Sequence, residues 1–465
     1  MLKTNSRVSR IGGLILILLG AFAWGSAASA QTLTTLTSFS VGNGAYPTDY
    51  GSLIADANGN LFGTTLGGGG SGYGTVFEIV KSGGVYAGTP TTLVSFNFSN
   101  GAYPYAGLMA DANGSLFGTT YGGGTSGDGT VFEIVNTGGL YTLTTLVSFN
   151  SSDGANPRAG LIADANGDLF GTTESGGSGN GTVFEIVKTS GAYSSTPATL
   201  VSFNGNDGAF PFGGLIADAN GNLLGTTEAG GGSGDGTVFE IVNTGGLYTL
   251  TTLVNFNSSD GANPLAGLIA DANGNLFGTT SAGGSGYGTV FEIVKTSGGY
   301  ASTPTTLASF DSVDGANPLA GLIADANGNL FGTTDLGGAT GYGTVFEIVK
   351  TSGGYASTPS TLVSFNLTDG AVPLGGLIAD ANGNLFGTTE LGGGSGYGYG
   401  TVFEVTGSGF VPPKKFAGAP GSANCTGASI SILAQAYGGV AHAAPALGYA
   451  SVSALQTAVA SYCGK

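Results

Sequence analysis

Two series of carboxylates run through this chain at a constant interval. The first is the aspartate of a Leu-Ile-Ala-Asp-Ala-Asn-Gly-Asn segment: Asp56, Asp111, Asp164, Asp218, Asp271, Asp325 and Asp380, spaced 53 to 55 residues apart. Hard oxygen donors gathered beside an aspartate form the kind of donor set calcium takes, so calcium is carried as a candidate cofactor at these seven positions. The fit to an EF-hand is poor, because Gly follows Asp by three and the twelfth residue from Asp56 is Gly67, not Glu. Asp and Asn also bond to their own backbone in turns, and the favoured reading makes these residues turn formers. The second series is the glutamate of a Gly-Thr-Val-Phe-Glu block: Glu78, Glu133, Glu185, Glu240, Glu292, Glu347 and Glu404. Paired carboxylates set roughly 5 to 10 Å apart hydrolyse glycosides. A catalytic pair should differ from its surroundings, however, and seven near-identical glutamates read instead as acceptors for neighbouring strands or Thr hydroxyls. No catalytic residue is assigned.

What is missing narrows the chemistry further. Residues 31–405 contain no His, Cys or Trp, and Arg158 is their only Arg; the single His of the chain is His442. Ser-His-Asp and Cys-His nucleophiles cannot be assembled from such a set, nor can a His-based zinc or iron site. The whole chain has 11 basic and 28 acidic residues, a net charge of −17. That balance argues against nucleic acid and anionic membrane as partners, since both need Lys and Arg to neutralise phosphates.

Binding residues are sought where the repeats differ. One variable place follows each Gly-Thr-Thr and is filled by Leu66, Tyr121, Glu174, Glu228, Ser281, Asp335 and Glu390. The glycine runs after it carry Tyr73, Tyr287, Tyr342, Tyr397 and Tyr399. The other lies in the connection around Gly-Ala-x-Pro and supplies Tyr46, Tyr50, Tyr103, Tyr105, Arg158, Phe210 and Phe212. In an up-and-down four-stranded unit both connections emerge on one face. The candidate ligand-binding set is therefore Tyr46, Tyr103, Tyr105, Tyr121, Arg158, Phe210 and Phe212, with the acids Glu174, Glu228, Asp335 and Glu390. Aromatic rings beside short polar groups suit sugars, which offer one apolar face and a rim of hydroxyls. The same mixture suits a protein ligand, because Tyr and Arg dominate interface hot spots.

The elements that hold these residues follow from the same repeats. Each is built from four short strands, as in Leu53–Ala57, Asn60–Thr65, Thr75–Val80 and Thr91–Phe96, with Asn58-Gly59 predicting a two-residue type I′ hairpin. Four strands per repeat is the content of a propeller blade. A lone fourth-type strand, Leu33–Phe39, precedes the first unit, and the last unit stops after its third strand, Thr401–Val405. Each end supplies what the other lacks, so the expectation for residues 31–405 is an all-β seven-bladed β-propeller closed by its N-terminal strand. Closure of this kind hides the sheet edges of an open stack.

The flanks read differently. Lys3, Arg7 and Arg10, the apolar run Ile11–Trp24 and Ala28-Ser29-Ala30 make residues 1–30 a secretory signal peptide. No later apolar run reaches the roughly 20 residues of a membrane helix. Residues 406–424 read as a linker, and 425–465 as a small α-helical module stapled by a Cys425–Cys463 disulfide. The protein is placed in the periplasm, on the cell surface or outside the cell.

The seven Asp-Ala-Asn-Gly-x-Leu-(Phe/Leu)-Gly-Thr-Thr segments, with the seven Gly-Thr-Val-Phe-Glu blocks, closely resemble the GloVer tandem-repeat family of exported bacterial proteins. The resemblance covers residues 31–405 and implies export and a variable C-terminal anchoring or sorting segment, but no activity. The favoured function is a non-catalytic, exported scaffold that binds glycan or protein on its variable face. The alternatives are a carboxylate-based glycoside hydrolase or lyase, and a purely structural protein of the envelope or matrix.

Overall fold

The computed structural model describes residues 31–47, 51–394 and 398–413, with four isolated positions beyond them (Ile430, Val452, Gln456 and Val459). The signal peptide, the helical C-terminal module and the Cys425–Cys463 bridge lie outside the described residues, as do Tyr50 and Tyr397.

The described chain is an all-β propeller of seven antiparallel blades. Blade 1 holds Ile54–Ala55, Leu61–Gly67, Thr75–Ile79 and Thr91–Ser95. Blades 2 to 6 repeat this order and open at Met109–Ala110, Ile162–Ala163, Ile216–Ala217, Ile269–Ala270 and Ile323–Ala324. Blade 7 takes Ile378–Ala379, Leu385–Thr389 and Thr401–Thr406 from the end of the repeats and Thr32–Ser38 from the N-terminus. That closing strand pairs antiparallel from Thr32↔Thr406 to Ser38↔Thr401. Its register shift between Thr35 and Thr37 has counterparts in the other blades, for example opposite Val131 and Phe132.

Two local details depart from the sequence reading. The hairpin at Asn58-Gly59 is a three-residue loop rather than a type I′ turn. Gly59 donates to the Asp56 carbonyl at 3.0 Å, and Asp56 donates to the Asn60 carbonyl at 3.0 Å. Only Gly59 has positive φ, +81°, so the loop is a type I turn ended by a left-handed glycine. The inner strand is also split in two. In blade 1, Ala45–Pro47 and Ile54–Ala55 both pair with Leu61–Gly67. Near the axis blades 1 and 2 approach closely: a Cβ on Gly107 would lie 2.6 Å from the Ser52 carbonyl oxygen of the neighbouring blade.

Packing between blades follows one rule. The Phe that ends each fourth strand meets the Phe of the next blade's Gly-Thr-Val-Phe-Glu, edge to face in six junctions and tilted at 59° in Phe96–Phe132. The seven pairs are Phe39–Phe77, Phe96–Phe132, Phe149–Phe184, Phe203–Phe239, Phe256–Phe291, Phe310–Phe346 and Phe365–Phe403, with ring centroids 4.9 to 5.2 Å apart. A tyrosine from each third-to-fourth hairpin caps the preceding blade, as Tyr193 does on Phe117 at 5.7 Å. Blade 7 has no such hairpin. Residues 407–413, the first part of the segment read as linker, take its place: Phe410 packs on Phe331 at 5.0 Å, and Ala326 donates to the Val411 carbonyl at 2.8 Å.

Replacing a fully buried Phe by Ala costs about 3–5 kcal/mol. If the N-terminal strand closes the ring as an ordinary fourth strand, Phe39→Ala and Phe256→Ala should lower stability by similar amounts in urea unfolding. A Phe39→Ala cost several-fold below that of Phe256→Ala would mean that the closing strand contributes little.

Candidate functional site

Both variable connections open on one face of the propeller, and a backbone latch between blades places them. The residue before each Gly-Ala-x-Pro proline is left-handed: Tyr46, Tyr103, Asn156, Phe210, Asn263, Asn317 and Val372 have φ between 53° and 61°. Asn tolerates this region, whereas Tyr, Phe and especially β-branched Val are strained in it. Each residue is held at both of its backbone groups. Tyr103 donates to the Tyr73 carbonyl of blade 1 at 2.9 Å and accepts from the Tyr121 amide of its own blade at 3.0 Å. Asn156, Phe210, Asn263, Asn317 and Val372 repeat both bonds, and Tyr46 donates to Tyr399 across the closing junction. Below this layer, buried Thr hydroxyls pair between the second and third strands, as Thr120 and Thr130 do at 2.8 Å. The glycine before each latch stands against that pair; a Cβ on Gly101 would come within 2.7 Å of Thr120.

This face carries a cleft of about 590 Å³ between blades 7, 1 and 2, lined by Val41, Ala45, Tyr46, Leu66, Gly67, Gly68, Gly72, Tyr103, Tyr105, Tyr121 and Tyr399. Four of the residues singled out in the sequence (Tyr46, Tyr103, Tyr105 and Tyr121) therefore meet in one place. Tyr105 and Tyr121 are 5.2 Å apart edge to face, and Tyr46 meets Tyr399 at 5.9 Å. Beside the cleft, Arg158 lies 4.9, 5.0 and 4.7 Å from the ring centres of Tyr105, Tyr121 and Phe212. Its Nε donates to Glu174 Oε2 at 2.6 Å. The lone arginine is thus enclosed by three rings and one carboxylate.

The remaining candidates occupy equivalent places on other blades and do not line the cleft. Phe210 is tied through its carbonyl to the Glu228 amide at 3.0 Å. Burial raises the Glu228 carboxyl, Glu174 adds to that, and Arg158 partly opposes it. Asp335 in blade 6 is pushed up to about 7 by burial, with the Glu390 charge contributing, and its Oδ1 is buried with no hydrogen-bond partner among the described residues. Burial also raises Glu390. Tyr399 and Tyr73 were noted in the glycine runs but not assigned to the site. Both occupy the place just before Gly-Thr-Val-Phe, where the latch bonds arrive from the following blade.

The two repeated carboxylate series lie on the opposite face. Asp56 Oδ1 accepts from the amides of Asn58 and Asn60 at 2.9 and 2.8 Å, and Asp111, Asp164, Asp218, Asp271, Asp325 and Asp380 repeat the pattern. These aspartates make turns, as the sequence reading favoured. Among the described residues no group of three or more His, Cys, Asp or Glu is placed to hold a metal ion. The strand glutamates are half-buried, and their side-chain partners are not chiefly Thr hydroxyls. Asn222 donates to Glu240 at 3.4 Å, and Tyr248 of the next blade bonds Glu185. Burial raises Glu78, Glu133, Glu185, Glu292, Glu347 and Glu404, and a turn aspartate of the same blade adds to each shift.

A family model described as Gloeobacter/Verrucomicrobia repeat matches residues 22–184, 86–291 and 248–442. No curated protein matches the chain. Among solved structures, a candidate gluconolactonase is 12% identical over 72% of this chain and 95% of its own, with a TM-score of 0.40. A candidate 6-phosphogluconolactonase from Bacteroides uniformis is 14% identical over 73% of this chain and 88% of its own, with a TM-score of 0.45. Likenesses this distant carry no argument about what this chain does.

Two outcomes follow from this geometry. Val372→Asn relieves a left-handed β-branched residue and should stabilise the fold by about 1 kcal/mol in urea unfolding. The pH dependence should run opposite to ordinary acid denaturation. A carboxyl whose folded pKa is raised favours the folded state at low pH, and that contribution is lost as pH rises through the folded value. The melting temperature should therefore rise as pH is lowered from 8 to 5 at fixed ionic strength, and Asp335→Asn should flatten the upper part of that rise. A melting temperature that falls over this window would show that the buried carboxyls are not held in their protonated form.

Proposed function

The chain belongs to the Gloeobacter/Verrucomicrobia repeat family, and from that premise we propose that it is an exported, non-catalytic scaffold that binds a glycan in its aromatic cleft. The supporting observation is that Tyr46, Tyr103, Tyr105, Tyr121 and Tyr399 share one open cleft. Rings bring large contact area with few torsions to freeze, and phenol hydroxyls at their rims match sugar hydroxyls. The other blades lack this set: blades 5 to 7 carry Leu265, Leu319 and Leu374 where blade 2 has Tyr105, and blade 5 has Ser281 where blade 2 has Tyr121.

Those other blades also supply the test. Tyr105→Leu and Tyr121→Ser borrow residues that the same scaffold already accommodates, so both should keep the wild-type melting temperature. Each should weaken glycan binding about tenfold, the loss of roughly 1.4 kcal/mol, on an array of soluble polysaccharides probed with mature protein. Running the array with calcium and with a chelator decides whether the turn aspartates also serve as ligands. Equal binding by wild type and both variants would remove the cleft from the function.

One observation favours a second reading, a glycoside hydrolase. Asp335, titrating near 7 beside Glu390, has the form of a proton donor paired with a second acid. Release of reducing ends that is abolished in Asp335→Asn would support it; no release from any polysaccharide bound by the protein would leave the scaffold reading.

A further inference from the structure

We infer that the ligand of the aromatic cleft is an uncharged polysaccharide, held as a single extended chain over the rings of blades 1 and 2. The inference rests on the glycan reading above and narrows it.

Charge makes the first cut. Apart from tyrosine hydroxyls, nothing among the described residues that line the cleft is ionisable. Among the described residues the one cation beside the cleft, Arg158, already faces Glu174 at 2.6 Å and lies against three rings, so none of them offers an uncommitted cation to a uronate, sulfate or phosphate. The net charge of −17 opposes polyanions at longer range. Among the described residues no carboxylate lines the cleft, so a polycation meets no counter-charge from them.

The arrangement of the rings makes the second. Two groups of rings stand here: Tyr105 and Tyr121, 5.2 Å apart in the cleft wall, and Tyr103, also in the wall, which meets Tyr73 at 5.7 Å, with Phe98 beyond the wall at 5.5 Å from Tyr73. Phe98 is 44% exposed and Tyr103 38%. Two groups offer more stacking places than one sugar needs. Ring partners are tilted by 57° to 70°, so they present no common plane. A flat crystalline surface requires coplanar rings, whereas a single chain can turn to follow tilted ones. The fold also retains Tyr103 at a φ of 60°, where three other blades place the better-suited Asn.

The experiment is affinity electrophoresis and calorimetry of mature protein against soluble β-glucan, galactomannan, polygalacturonate, alginate, chitosan oligomers and microcrystalline cellulose. At least one neutral soluble polymer should bind, with affinity changing less than about twofold between about 0.02 and about 0.5 M salt. Tyr103→Asn and Phe98→Ser should each weaken it by roughly tenfold, about 1.4 kcal/mol. Both substitutions take the residue that equivalent places hold at Asn156 and Ser312, and Ser312 has the same left-handed φ, 71° against 70°. An unchanged melting temperature then separates lost contact from lost fold. Tighter, salt-sensitive binding of a uronate or chitosan that still needs Tyr103 would overturn the charge inference and leave the glycan reading standing. Equal retention on crystalline cellulose would overturn the single-chain inference in the same way. Binding to none of the polymers would overturn both the inference and the reading beneath it.

Discussion

The ring contact between phenylalanines of adjacent blades is the interaction on which the rest of this structure depends. A four-stranded blade of so glycine-rich a chain cannot bury its own face. It is covered only when the ring ending its fourth strand meets the ring on the third strand of the next blade. Such a pair contributes about 0.5–1.5 kcal/mol beyond the area it buries, and it recurs at all seven junctions. The last junction can form only if Thr32–Ser38 returns to the seventh blade, which is why the closing strand keeps the register of an ordinary fourth strand. The strap through Phe410 serves the same end on the opposite face, covering a ring that the missing hairpin tyrosine would otherwise have left bare.

Once the blades are fixed, the binding face follows. The latch residues are left-handed because each must donate backward to one blade and accept from another within a single residue. Strain of this kind persists only where the surroundings over-determine it. The scaffold thereby sets seven equivalent side chains at the same height and leaves their identity open. At these places blades 1 and 2 carry tyrosine, blade 4 phenylalanine, blades 3, 5 and 6 asparagine, and blade 7 valine.

The acidic character of the chain divides along the same lines. Carboxylates on the turn face are repeated, engaged with their own backbone and part of the architecture. On the variable face, the carboxylates of Glu228, Asp335 and Glu390 are partly desolvated and differ from blade to blade. Burial raises these three carboxyls, so the variable face gains stability when they are protonated.

Sequence alone determined the blade count, the strand content and the closure, because each is recorded in repeated residues: seven Gly-Thr-Val-Phe-Glu blocks, seven terminal Phe and one orphan strand at each end. It also determined that Tyr46, Tyr103, Tyr105 and Tyr121 share a face, since connections on alternate ends of short strands must. The tertiary structure decided which of those residues touch. That Arg158 is enclosed by Tyr105, Tyr121 and Phe212, and that Tyr399 completes the cleft beside Tyr46, depends on the angle at which neighbouring blades meet around the axis. The hairpin at Asn58-Gly59 departs from the turn its dipeptide favours for a related reason. Asp56 draws the amides of Asn58 and Asn60 onto its own carboxylate, and that side-chain bond selects a three-residue loop over the turn the backbone preference favours. Local pattern fixes what each strand is, while contacts between residues about 54 positions apart, or at opposite ends of the chain, decide what the face can hold.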